Sequence, residues 1–416
     1  MDACVQPGLL PVADAIAQML ASIEPVTTTE ILALQDSLDR VLATDIVAPI
    51  NVPGADNSAM DGYAFRHQDH QRELIIVGDA LAGHAFTGEL HAGETVRIMT
   101  GGVIPRGADT VVMQENVTRN ANKIMINAAP AVGENIRRAG EDISKQSIVF
   151  SRGRSLTGLD IGLLASLGIH QVSVFQRVKI ALLTTGDELL PTDAEYQTGK
   201  IYDSNRPLLK ALLTRLPVDV LDLGIVPDNP EALRRTFSTA MENADLVIST
   251  GGVSVGDADY TKTLLAELGE INFWKIAMKP GKPFAFGKLT TSALPNARPH
   301  CWFCGLPGNP VSTAVTYHQL VVPALRYMSG ELAGDMLVIK AIASKPLKKQ
   351  PGRTDFQRGI FTSIDGVNSV VAAGLQSSGV LSGMSNANCY IRLAAERGNV
   401  AAGEIVDVIL FDRFIH

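Results

Sequence analysis

Residues 245–265 read DLVISTGGVSVGDADYTKTLL. The apolar and β-branched run Leu246–Thr250 has the pattern of a short buried strand, and glycines follow at 251, 252 and 256. Helical spacing begins near Asp257 or Asp259, so the stretch predicts strand, glycine turn and helix start in succession. Such a succession gathers bare backbone N–H groups at the positive end of a helix, an arrangement that suits phosphate. Gly251, Gly252 and Ser254 are therefore candidate substrate-binding residues. Gly251 and Gly256 have the spacing of a Walker A loop, but Asp257 stands where its lysine belongs, and no G-x-G-x-x-G fits. Asp257 and Asp259 beside a phosphate call for a divalent cation between them. The plainer alternative is a βα turn capped by one aspartate, which leaves the remaining glycines, Ser254 and the second acid unexplained.

The 416 residues are 46% hydrophobic and 19% charged, an ordinary globular composition with room for about three domains. A net charge of −7 argues against a nucleic-acid surface, yet an anion pocket needs only a local gathering of Lys and Arg. The opening MDACVQPGLL carries Asp2 and no basic region, so it does not read as a signal peptide. No apolar run nears the ~20 residues of a membrane span. Four cysteines do not make a disulfide framework, and the cytoplasm is the expected compartment. Cys301 and Cys304 form a C-x-x-C pair inside HCWFCGL with only His300 nearby. We read it as a structural strand with both thiols on roughly one flank, and a metal or redox site as the minority alternative.

Along the chain, 12–23 has helical spacing and a second helix is expected over about 28–43. From Asn57 to about Asn127 come short β runs (ELIIVGD, ETVRIMT, DTVVMQE, KIMINAA) parted by Gly and Pro. Among them, NSAMDGYA (57–64) reads as a turn that presents Asp61, and Thr100-Gly101-Gly102 closes another run. GENIRRAGEDI (133–143) is either a solvated connection or a loop that aims an arginine at phosphate. A helix is expected over 157–169, then strand VSVF.

From Val178 to Met328 strands and helices alternate. The strands are 178–185, 218–226, 245–250 and 271–278, and the helices 206–216, 230–243, 259–268 and 311–328. The alternation implies a three-layer, mostly parallel sheet, whose ligands bind beyond the carboxyl ends of the strands. Glu188, Asp228, Asp257, Asp259, Lys275, Lys279 and Lys282 all fall at that rim, together with Gly186, Asp187 and the turn Leu306–Pro310. A metal-assisted phosphate site is the joint reading. The remainder, 336–416, is β-rich, with Arg353 and Gln376-Ser377-Ser378 between its runs.

Seven motifs in order, NSAMDGYA, RIMTGG, NIRRAGEDI, TGDEL, STGGVSVGDADY, KIAMKPGKPFAFG and LPGNPVS, resemble the MoeA-type molybdopterin molybdenumtransferases, relatives of the C-terminal domain of gephyrin. The resemblance spans about residues 10–410. It implies a central α/β domain of the molybdopterin-binding type, with a β-rich insertion in an N-terminal region and a C-terminal β domain. The divisions are 1–53 with 143–177, 54–142, 178–328 and 329–416. The implied reaction inserts molybdate into adenylylated molybdopterin and releases AMP, with Mg2+ or another divalent cation. Carried over residue by residue, Asp61, Thr100, Glu188, Asp228, Asp259, Lys275 and Lys279 become catalytic positions. Arg137 and Asp142 become further active-site positions, and Glu188, Asp228 and Asp259 the metal side. Lys279, Lys282, Ser312, Arg353 and either Ser377 or Ser378 become the molybdate pocket, although this chain lacks the histidine many members carry in that last loop. Implied partners are a second copy of the chain in a homodimer, the molybdopterin adenylyltransferase and other cofactor-pathway proteins. The rival readings are a molybdopterin adenylyltransferase, which would be a shorter chain, and a molybdopterin-binding scaffold.

Overall fold

The computed structural model describes residues 8–128, 130–251, 260–290, 301–332, 334, 336–412 and 414–415. Gly252, Ser254, Gly256, Asp257, Asp259 and His300 lie outside the described residues.

Buried β runs alternating with helices give a six-stranded central sheet. Its order is Val218–Val226, Val178–Thr185, Leu246–Thr250, Cys301–Leu306, Pro283–Leu289, Gly269–Lys275. Only Pro283–Leu289 runs against its neighbours; the other five strands point the same way. Alternation along each strand feeds both faces. Ile180 and Leu182 pack with helix Asn205–Leu213 and the helix that starts at Pro310, whereas Ala181 and Leu183 pack with helices Pro230–Asn243 and Tyr260–Leu268. The expected three layers are present. Asn229 caps its helix by accepting from the Ala232 N–H at 2.9 Å, with Pro230 preset behind it, a stabilisation of about 1 kcal/mol. The helix from Pro310 to Met328 carries a π turn at Tyr317–Val321. Pro323 has no N–H to offer the turn before it, which gives a physical reason for the break.

Two expectations fail. Cys301 and Cys304 do not share a flank: three residues apart on a strand, they face opposite sides, Cys301 in one core and Cys304 in the other. Both are buried and outside any disulfide, and burial pushes the Cys304 thiol well up. The expected helix over 28–43 is instead the strand Thr29–Ala33, paired antiparallel with Gln171–Phe175, and a short turn of 3-10 helix. β-branched Thr29 and Ile31 suit a strand, and the partner that selects it lies far along the sequence.

The run 57–127 yields a second six-stranded sheet, order Thr110–Met113, Gly62–Phe65, Glu94–Ile98, Leu74–Ala80, Lys123–Ile126, Val117–Asn120. In the C-terminal part, Thr354–Ile364, Val367–Ala372, Ile339–Ala343, Ile405–Leu410 and Cys389–Leu393 follow one another, and the last returns to pair with the first. The ring is closed. One more strand joins it from the central region: Met278–Lys279 pairs in parallel with Thr354–Asp355.

Gly251 ends the central strand Leu246–Thr250 at φ +84°, and an added β-carbon would stand 2.3 Å from the Thr185 carbonyl oxygen. Gly251→Ala meets both a conformational penalty and a backbone clash. We expect it to cost about 1–3 kcal/mol, read as a lowered midpoint in urea unfolding.

Candidate active site

The carboxyl ends of the parallel strands converge on one edge. Gly186–Glu188 leave strand Val178–Thr185 there, Asp228 follows Val218–Val226, and Gly251 follows Leu246–Thr250. Lys275 closes its own strand, and Lys282 precedes the antiparallel strand, which starts from the same edge.

One end of this rim is acidic. The Asp228 N–H donates to Asp187 Oδ1 at 3.2 Å. The Glu188 carboxylate folds back over Gly186, where a β-carbon would stand 2.7 Å from Oε2. Burial first, then the charges of Asp187 and Glu188, push the Asp228 carboxyl above its ordinary value. Among the described residues no three carboxylate, imidazole or thiolate groups converge tightly enough to cage an ion. The donors are all carboxylate oxygens, which fit a hard cation such as Mg2+ that keeps waters and shares phosphate oxygens.

The other end is basic. The turn 276–282 is pinned at its base by the Ile276 N–H donating to the Lys282 carbonyl at 2.7 Å. Lys279 sits in it, with Nζ 3.6 Å from Oδ2 of buried Asp355. Lys349, also buried, donates to the Gln350 carbonyl at 3.1 Å. Burial lowers its pKa, and Lys279 and Arg353 push it the same way against Asp355 and Glu396. Three cations thus share one field with a buried acid. A cavity of about 360 Å³ opens between Lys279, Lys348, Asp355, Arg358 and Gln376. Next to the C-terminal ring, Ser312 is buried in the first turn of its helix. Asn309 Nδ2 donates to Ser378 Oγ at 3.2 Å, and the Val311 N–H donates to the Ser378 carbonyl at 3.2 Å. Ser377, Lys275 and Lys282 are exposed.

A third group forms on the N-terminal β sheet. The Thr100 N–H and hydroxyl both donate to Asp61 Oδ1, at 2.7 and 2.8 Å. These bonds, the backbone one foremost, hold the exposed Asp61 carboxyl below its ordinary value. The Gly101 N–H donates to the Ser58 carbonyl, and the Ser58 N–H to the Gly102 carbonyl. Asn57 and Ser58 pair with Arg137 and Ile136. The Asp142 N–H donates to Val52, which leaves exposed Arg137 and Asp142 beside the same unit. NSAMDGYA, RIMTGG and NIRRAGEDI therefore fold as one piece. No hydrogen bond or ion pair among the described residues ties this piece to the carboxyl rim of the same chain.

Asp355, Lys349 and Arg358 escaped the sequence reading. For Asp355 and Arg358 a signal was available: charged residues on both faces of the run TDFQRGIF, where a half-exposed strand would alternate; Lys349 lies outside that run.

Residues 10–168 match the MoeA N-terminal region (domain I and II), 181–327 a probable molybdopterin binding domain, and 340–411 the MoeA C-terminal region (domain IV). A molybdopterin molybdenumtransferase of Haemophilus influenzae is 46% identical over 98% of this chain and 100% of its own length. One from a Nostoc species is 35% identical over 97% and 93%. The crystal structure of the molybdopterin biosynthesis moeA protein of Pyrococcus horikoshii superposes with a TM-score of 0.83 at 28% identity, covering 97% of this chain and all of that one. With near-complete coverage in both directions and the same architecture, the chain belongs to the MoeA-type molybdopterin molybdenumtransferase family.

Proposed function

We propose that this protein inserts molybdate into adenylylated molybdopterin and releases AMP. The observation that carries the proposal is the polarity of the rim, acidic at Asp187, Glu188 and Asp228 and basic at Lys275, Lys279, Lys282 and Arg353. A tetrahedral dianion suits the basic end, where planar Arg353 and the lysine ammoniums supply charge-assisted bonds. The phosphate of the adenylyl group suits the acidic end only with a divalent cation between, and Mg2+ on Glu188, Asp228 and Asp259 would neutralise phosphate charge and polarise the bond to AMP. No side chain need attack covalently: the dithiolene sulfurs and the molybdate oxygens carry the bonding changes. The chain's own work is to hold both anions along one rim and to keep Asp61 ionised. Cys301, Cys304 and Cys389, buried and outside any disulfide, accord with a reducing, cytoplasmic setting. The direct test is AMP release from adenylylated molybdopterin with molybdate and Mg2+. No release from either pure or pathway-reconstituted protein would sink the proposal.

The same proposal includes a homodimer with shared sites, since no hydrogen bond or ion pair among the described residues joins the Asp61 unit to the rim of its own chain. Exposed apolar Ile31, Ile148 and Leu159 near the N-terminal strands offer a surface for the second copy. The cofactor pathway makes the molybdopterin adenylyltransferase a further partner to test by pull-down. In purified mixed dimers of Asp61→Asn and Asp228→Asn chains, one site keeps both carboxylates. About half the parent activity is expected, and none if both residues serve one chain's site.

Asp228 also predicts a trade between stability and activity. Its folded pKa is raised, so the folded state binds its proton more tightly than the unfolded chain, and ionisation at higher pH works against folding. Asp228→Asn removes that repulsion and should raise the melting temperature at pH 7 by roughly 1–2 °C. The gain should shrink as pH falls through the raised pKa and the parent carboxyl is protonated. AMP release should fall at least tenfold. Thermal melts across pH 3–8, paired with activity, check both halves.

A further inference from the structure

Arg358 is among the largest fully buried side chains, 1% exposed, on the strand Thr354–Ile364. Buried guanidinium groups are ordinarily paired with a carboxylate. This one has no ion pair among the described residues, and its Nε has no acceptor. Its terminal nitrogens instead donate to three successive carbonyls: Leu375 at 2.6 Å, Gln376 at 3.3 Å and Ser377 at 3.0 Å. The Gln376 side chain completes the clamp, accepting from the Arg358 N–H at 2.8 Å and donating to the Arg358 carbonyl at 3.1 Å.

In a planar trans peptide the N–H points opposite to the carbonyl it is bonded through. With the carbonyls of 375, 376 and 377 turned onto Arg358, the N–H groups of Gln376, Ser377 and Ser378 turn away from it. None of the three donates to any described residue. Successive free N–H groups with an uncompensated buried cation behind them form an anion-binding concavity. It adjoins the cavity of about 360 Å³ that Lys279 and Arg358 help to line. The Ser378 hydroxyl is already engaged by Asn309 Nδ2, and the Ser378 carbonyl by the Val311 N–H, which fixes the loop against the helix that holds Ser312.

We propose that the backbone N–H groups of Gln376, Ser377 and Ser378, presented by Arg358 as a positioning residue, hold the oxyanion, rather than the hydroxyl of either serine. This inference rests on the molybdate-insertion reading and names the atoms that complete its basic end. The charge of Arg358, which no acid among the described residues neutralises, selects a dianion over a neutral ligand.

The experiment uses the full-length protein and titrates molybdate in the AMP-release assay, with direct molybdate binding measured calorimetrically in the absence of adenylylated molybdopterin. Arg358→Met keeps the length of the side chain and removes the clamp and the charge; Arg358→Lys keeps the charge and loses the fork. We expect KM for molybdate to rise at least tenfold in Arg358→Met and by less in Arg358→Lys. The affinity for adenylylated molybdopterin should stay within twofold, and direct molybdate binding should weaken in parallel. Both shifts should exceed those of Ser377→Ala and Ser378→Ala. A larger effect from either serine variant, or an unchanged molybdate affinity in folded Arg358→Lys, overturns the inference. If the methionine variant does not fold, as judged by its thermal melt, the lysine variant and calorimetry decide. A parent protein that binds molybdate but releases no AMP would sink the functional reading and leave this one standing.

Discussion

A pairing two residues long holds the candidate site together. Met278–Lys279 leaves the central sheet and adds itself, in parallel, to Thr354–Asp355 of the C-terminal ring, with the Thr354 N–H donating to the Ala277 carbonyl at 2.8 Å. That ladder sets Lys279 beside Asp355 and brings Arg353 and Lys349 into its field. Charges sealed in a protein interior cost several kcal/mol each unless compensated. Asp355, Lys349 and Arg358 are all nearly inaccessible at this seam, with one carboxylate among them. A seam built for stability alone would be apolar, as the ring's own core of Val370, Ile391, Leu393 and Val408 is. The surplus of buried positive charge is what makes the seam a place for an anion.

Strand order then separates the two chemistries. Asp187, Glu188 and Asp228 leave the sheet from its first two strands, and Lys275 and Lys282 from its last two. From Val178–Thr185 to Pro283–Leu289 is three strand spacings, roughly 14 Å. Gly251, at the end of Leu246–Thr250, falls between them. A ligand with a phosphate at one end and its reacting group at the other could lie along such a rim, each end meeting its own electrostatics. A compact ligand would leave one end unused.

Sequence periodicity was enough for the parts of the fold whose signal is local. Pro230–Asn243 emerged with its bounds, because Asn229-Pro230-Glu231 announces a helix start and the apolar stripe runs uninterrupted. Residues 28–43 misled because the partner of Thr29–Ala33 lies at Gln171–Phe175, beyond any window of periodicity. The thiols of the C-x-x-C pair were misplaced by attention to their spacing as a motif, when strand geometry sends residues three apart to opposite faces. At the site, Asp61 and Thr100, read from separate loops, meet through two hydrogen bonds, while Arg358 passed unnoticed. A charged residue in a strand reads as solvent-facing until the closure of the ring buries both of its faces. Asp257 and Asp259, which opened the reading, fall outside the described residues.

The Asp61 unit stands apart for a reason visible in its attachments. It joins the rest of the chain through the two-stranded pairing of Ile46–Val47 with Ile148–Phe150, and beyond that Thr29–Ala33 with Gln171–Phe175. Two-stranded ladders are marginal on their own and gain rigidity only from what packs on them. Leu34, Leu42, Leu156, Leu164 and Val174 supply a small core on one side. The other side leaves Ile31 71% and Ile148 60% exposed. A slender, half-covered stalk is a poor way to hold a carboxylate at a fixed distance from a rim to which no described residue bonds it. It becomes a sound one if the bare side is covered by another surface, and the exposed isoleucines are where that covering would add the most.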